Sequence, residues 1–156
     1  MTVASAPAPA AGTAVASELL GPLVVPEEAR FAFPAGLYGF REHHEFALLP
    51  AGRPGLWWLQ ATGDPVLAFL VADPFPVFPD YAPDVPEAEL AQLGGGEAPA
   101  AEHVAAFVIV TLPGAGAQAA SANLRAPVLL DTRARRGRQV VLPAEARGVA
   151  EPFPLP

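Results

Sequence analysis

Glu-Phe-Ala-Leu-Leu-Pro-Ala-Gly-Arg-Pro-Gly-Leu-Trp-Trp-Leu-Gln-Ala-Thr-Gly-Asp-Pro-Val-Leu-Ala-Phe-Leu-Val-Ala, residues 45 to 72, is three short apolar runs cut apart by two clusters of turn formers. Glu45 to Leu49, Leu56 to Gln60 and Val66 to Ala72 suit strands, and the Pro, Gly and Asp residues between them punctuate hairpins. The same rhythm continues outward in both directions. Leu19 to Val25, Ala29 to Phe33, Val104 to Leu112, Val128 to Asp131 and Arg138 to Leu142 are further candidates, rich in Val, Phe and Leu. Runs recurring about every ten residues predict an all-β sandwich or barrel rather than βαβ units, and eight short strands suffice to close a small barrel. One short helix is expected at Pro86 to Leu93, with Pro at its start, Glu87 and Glu89 in the first turn and Gly94 just past the end. The fold class is therefore mainly β: a small, single-domain, barrel-like fold of about eight strands and one helix.

Composition narrows the chemistry. The chain of 156 residues has no cysteine, which removes disulfides, thiolate metal sites and a cysteine nucleophile, and its three histidines leave little for a metal. Alanine supplies 33 residues and Pro and Gly together 34, so the apolar fraction overstates the core. The longest apolar run, Val104 to Leu112, is far shorter than the ~20 residues of a membrane-spanning helix. The net charge of −7 is polarised: residues 1 to 120 hold three Arg against thirteen acids, and residues 121 to 156 six Arg against three. An acidic body disfavours general nucleic-acid binding and favours a basic protein partner.

Residues 1 to 16 are Ala/Pro-rich with few large apolar groups and are expected to form a disordered tail. They lack the positive start and apolar stretch of a signal peptide, so the product is expected in the cytoplasm. The folded β domain is placed at 17 to 147 and a flexible C-terminal tail at 148 to 156.

Asp73-Pro-Phe-Pro-Val-Phe-Pro-Asp-Tyr81 concentrates aromatic surface on stiff backbone. Pro74, Pro76 and Pro79 each fix φ and remove a donor, excluding a helix or a central strand. Two readings stand open: Phe75, Phe78 and Tyr81 plug one end of a β core, or they form a surface that a partner meets.

The usual catalytic constellations are missing. Serine occurs only at 5, 17 and 121, none in a Gly-x-Ser-x-Gly elbow. His43 and His44 are adjacent and point apart on a strand or helix, so they do not chelate one ion. Glu102 beside His103 has no nucleophile or glycine loop in support, and reads as a solvated strand entry. No enzyme and no cofactor is expected. The basic cluster Arg133, Arg135, Arg136 and Arg138 is either a solvated hairpin tip or a grip on phosphates or carboxylates.

Several phrases in order match one family pattern: Gly36-Leu37-Tyr38-Gly39-Phe40, then Phe46-Ala47-Leu48-Leu49, Trp58-Leu59-Gln60, Ala68-Phe69-Leu70-Val71 into Asp73-Pro74, and Phe78-Pro79-Asp80-Tyr81. Val108 to Pro113, Ala122-Asn123-Leu124-Arg125-Ala126-Pro127, Thr132-Arg133 and Gly137-Arg138-Gln139-Val140-Val141-Leu142 continue it. Over about residues 19 to 142 the chain resembles the FliW family of flagellar assembly factors. The resemblance implies a non-catalytic, mainly β protein that binds flagellin and, once flagellin is exported, binds the translational regulator CsrA and relieves its repression of flagellin mRNA. It further favours a monomer when free, while the charge and the short apolar runs lead to no expected direct contact with nucleic acid or a membrane.

Carried onto this chain, the resemblance nominates Phe78 and Tyr81 as apolar anchors for a partner and Asp80 as an acceptor for a basic group, so Tyr81→Ala is expected to weaken binding with the fold intact. Asn123 is a second candidate, although Asn readily bonds its local backbone. Arg133, Arg138 and Gln139 match the family pattern at the basic hairpin. Trp58, Phe69, Val108 and Ile109 are assigned to the core. The family's Leu-Gln-Ser phrase is here Leu59-Gln60-Ala61, without the hydroxyl. A direct RNA-binding β module using the C-terminal arginines is the alternative.

Overall fold

The computed structural model describes residues 12–114, 119–143 and 147–155. The chain runs through β1 (Gly12–Val15), β2 (Leu23–Pro26), β3 (Arg30–Ala32), β4 (Glu45–Pro50), β5 (Leu56–Ala61), β6 (Ala68–Ala72), α1 (Glu87–Leu93), β7 (Val104–Thr111), β8 (Ser121–Ala122), β9 (Val128–Asp131), β10 (Arg136–Gln139) and β11 (Glu151–Pro152). The strands β3 to β7 form an antiparallel meander, β10 pairs in parallel with β3 and antiparallel with β9, and β9 returns to β7. Seven strands thus close a barrel, with β1–β2 as a separate hairpin and β8 and β11 branching outside.

Closure depends on the length of β7. One edge pairs with β6, Val71 facing Ile109, while the other carries β9 from Val104 to Phe107 and then β8 at Val110 and Thr111. The chain follows that edge as β8, leaves it at 123 to 127, and rejoins it as β9.

The pleat explains why these strands read as continuous apolar runs. Along β7, Phe107 packs into the barrel interior with Phe31, Phe33, Phe46, Leu59 and Val71. Its neighbours Val108 and Val110 point outward and are covered by Tyr81, Leu124 and Phe153. Val104 and Ala106, also outward, lie under α1 against Leu93, Leu129 and Leu142. Successive side chains alternate between faces, so a wall covered on both sides is apolar throughout.

Several expected boundaries move. The first two expected strands, Leu19 to Val25 and Ala29 to Phe33, shrink to β2 and β3, because Ser17 and Leu20 spend their backbone on a turn in which Gly21 donates to the Ser17 carbonyl at 2.9 Å. The strand expected at Arg138 to Leu142 begins at Arg136 and ends at Gln139, after which Val140 and Leu142 donate to the carbonyls of Pro127 and Arg125. Gly12–Val15, placed in the disordered tail, pairs with β2; residues 1 to 11 of that tail lie outside the described residues. The expected flexible tail at 148 to 156 instead supplies β11, paired with β8, and Phe153, only 4% exposed. The Gly114 to Ala120 loop is described only at its ends. The helix starts one residue later than expected, with Pro86 as its extended N-cap.

Candidate interaction surface

After β6 the chain turns at Asp73, whose Oδ1 accepts the Phe75 amide at 3.1 Å. Val77 and Phe78 donate to the Pro74 carbonyl and Tyr81 to the Phe78 carbonyl, so the loop coils twice between its prolines. This coiling decides which aromatics face water. Tyr81 turns inward, 4% exposed, and its hydroxyl donates to the Leu124 carbonyl at 2.8 Å. Burial pushes its pKa up to about 12, against a smaller opposing pull from Arg147. Phe75 is 44% exposed, with its ring 6.0 Å from that of Tyr81. Phe78 is half-buried against Phe153, ring centroids 6.3 Å apart. The expected apolar anchor Tyr81 is therefore a packed residue, and Phe75 is the exposed ring of the loop.

Arg147 gathers this region. Its guanidinium makes a fork with Glu151 at 2.8 and 3.0 Å, approaches Asp80 at 3.7 Å, and lies 5.7 and 5.8 Å from the rings of Phe78 and Tyr81. The bond from Arg147, then that from the Gly148 amide, holds the Glu151 carboxyl below the ordinary carboxylate range. Asp80 is well exposed, so a basic partner group can reach it. No signal beyond an Arg–Glu pair four residues apart marked Arg147 in the sequence.

The remaining candidates divide between a turn and a hairpin. Asn123 Oδ1 accepts the amides of Arg125 and Ala126 at 3.2 and 3.1 Å, shaping the turn where the chain leaves β7. Gln139 is 8% exposed; its Nε2 donates to the Ala126 carbonyl at 3.2 Å and its Oε1 accepts the Tyr38 amide at 3.0 Å. Both brace backbone around the same turn. Arg138 pairs with Glu89 of α1 at 2.8 Å, Arg135 with Glu27 at 2.8 Å, and Arg136 donates to the Leu93 carbonyl at 3.1 Å. Arg133 is exposed at the hairpin tip, where Asp131 Oδ1 accepts its amide at 3.0 Å. The hairpin arginines thus mostly clasp their own protein, α1 included.

Between the proline loop, α1 and the outer face of β7 and β9 lies a groove of about 510 Å³, in which Phe75, Val85, Leu90, Val104 and Leu129 are apolar and Glu87 is the one charged lining residue. It escaped sequence reasoning because three separate elements build it. Among the described residues no cluster of His, Asp and Glu could hold a metal ion, and no helix is long and apolar enough to cross a membrane.

Comparison with known proteins agrees with this architecture. The FliW protein family model matches residues 14–153. The flagellar assembly factor FliW of Symbiobacterium thermophilum is 42% identical over 125 residues, covering 79% of this chain and 88% of that protein. That of Treponema denticola is 33% identical over 128 residues, covering 82% and 84%. A crystal structure of the flagellar assembly factor FliW superposes with a TM-score of 0.79 at 29% identity, covering 91% of this chain and 98% of the other. A family match across the whole barrel, including the β11 end, and a shared fold lead to one conclusion: the chain belongs to the FliW family of flagellar assembly factors.

Proposed function

We propose that this protein acts by binding rather than catalysis, as a cytoplasmic partner switch that holds flagellin and, when flagellin is exported, holds a CsrA-type translational regulator and relieves its repression of flagellin mRNA. Family membership over residues 14–153 is the observation that carries the reading. The charge distribution supports it, because an acidic body attracts a basic RNA-binding protein and is repelled by RNA itself. The pairing of Arg135 and Arg138 with glutamates offsets much of the hairpin's positive charge, which weighs against the RNA-binding alternative. Phe78, Asp80 and Tyr81 enter as one surface: Phe78 and Asp80 by contact, Tyr81 by holding the loop. Arg133 and Arg138 are the second candidate surface, with Asn123 and Gln139 fixing the turn beside it.

Calorimetric titration of the purified protein with flagellin and with the CsrA-type regulator tests the reading. Heat of binding with each is expected; none with either at tens of micromolar overturns it. A gel shift at physiological salt is expected to show no complex with RNA alone.

A further inference from the structure

The apolar groove beside α1 is left uncovered by the chain's own described residues, and its one charged lining residue is an acid. Glu87 lines it, and the exposed Asp84 lies in the chain between the lining residues Pro83 and Val85. On the neighbouring hairpin, Arg138 is held by Glu89 and Arg136 by the Leu93 carbonyl. Glu97, His103, Asp131 and Arg133 line an adjoining recess that shares only Ala98 and Pro99 with the groove. Apolar walls with Glu87 and Asp84 at one end suit an occupant that is apolar on one side and cationic at its edge.

We propose that this groove receives a cationic, amphipathic helical segment of a protein partner, with its apolar residues on Val85, Leu90, Val104 and Leu129 and its Arg or Lys residues against Glu87 and Asp84. The inference rests on the binding reading above and gives it a location. A groove walled by a helix on one side and a loop on the other accepts side chains at i, i+3, i+4 and i+7, the spacing by which an amphipathic helix presents one face. Phe75 stands at its edge as an exposed ring on proline-fixed backbone, which loses little freedom when covered. Acids on the rim speed encounter with a cationic segment and discriminate against an acidic one.

The test uses the full chain and two synthetic peptides, one helical with leucines at i, i+3, i+4 and i+7 and arginines flanking them, the other with those arginines replaced by glutamates. The cationic peptide is expected to bind at low salt, with amide shift changes confined to residues 83–106 and 129, and the acidic peptide at least ~10-fold more weakly. Two variants at exposed positions, Glu87→Gln and Ala101→Tyr, are expected to weaken the cationic peptide ~10-fold or more with unfolding midpoints close to that of the wild type. Equal binding of both peptides, shift changes elsewhere, or saturation by a small apolar molecule without peptide binding overturns the proposal. The same variants titrated against flagellin and the regulator separate the two claims. If the wild-type protein binds either protein and both variants keep full affinity for it, the groove is not the site although the switch stands. If the wild-type protein binds neither, the switch fails and the peptide result alone decides the groove.

Discussion

Tyr81 shows how a residue that looks like a contact becomes a joint. Its hydroxyl ties the proline loop to the Leu124 carbonyl beside the Asn123 turn. Tyr81→Phe leaves that carbonyl without its donor and is expected to cost about 1 to 2 kcal/mol in urea unfolding. Tyr81→Ala removes the ring as well and is expected to cost about 3 to 5 kcal/mol, so its effect on binding arrives together with a loss of stability. Because its pKa in the folded protein is about 12, above the ordinary value of 10.0, the folded state holds the proton more tightly than the unfolded chain. Its contribution is therefore complete below pH 10 and declines between about pH 10 and 12. The Tyr81→Phe variant is expected to lack that part of the decline when unfolding is followed against pH. Gly137, in the family phrase Gly137-Arg138-Gln139, has an equally physical reason: a Cβ there would fall on the Phe33 ring inside the barrel. Gly137→Ala is expected to lower stability by about 1 to 3 kcal/mol, read from the thermal midpoint.

At the scale of elements, the three runs between residues 45 and 72 were legible because strand length, aromatic content and turn punctuation agree; β4 and β5 fall within a residue or so of expectation. The helix was equally plain, since Pro86 and Gly94 bracket it. The C-terminal strand was not legible. Glu151-Pro152 is two residues long and contains a proline, and what orders it is the remote packing of Phe153 on Phe78 and the fork between Arg147 and Glu151. Phe153→Ala is expected to destabilise the fold by about 3 kcal/mol, whereas the same change in a flexible tail would alter nothing. Arg138 presents the converse. Its pair with Glu89 is partly exposed, so Arg138→Ala is expected to shift stability by no more than about 1 kcal/mol, and any larger loss of partner affinity is then assignable to contact. The candidate site was half legible for the same reason. The sequence marks Phe78, Asp80 and Tyr81 as a unit, but which ring faces water is set by hydrogen bonds from Val77, Phe78 and Tyr81 to carbonyls within the loop.

At the scale of the whole molecule, the barrel is a scaffold covered on one side by α1 and on another by the proline loop with the C-terminal strand. Between those two covers lies the apolar groove, and α1 and the proline loop belong to residues 1 to 120, which hold thirteen of the sixteen acids. Such a body suits recognition of basic, partly apolar protein segments and offers little to a phosphate backbone. The proposed switch between two protein partners is read most simply by following RNA rather than the protein. Labelled flagellin mRNA leader is bound to the CsrA-type regulator, and its fluorescence anisotropy is recorded as this protein, and then flagellin, is added. Anisotropy is expected to fall toward that of free RNA on the first addition and to recover on the second. Unchanged anisotropy on adding the protein, or a rise from RNA bound to the protein alone, would contradict the switch.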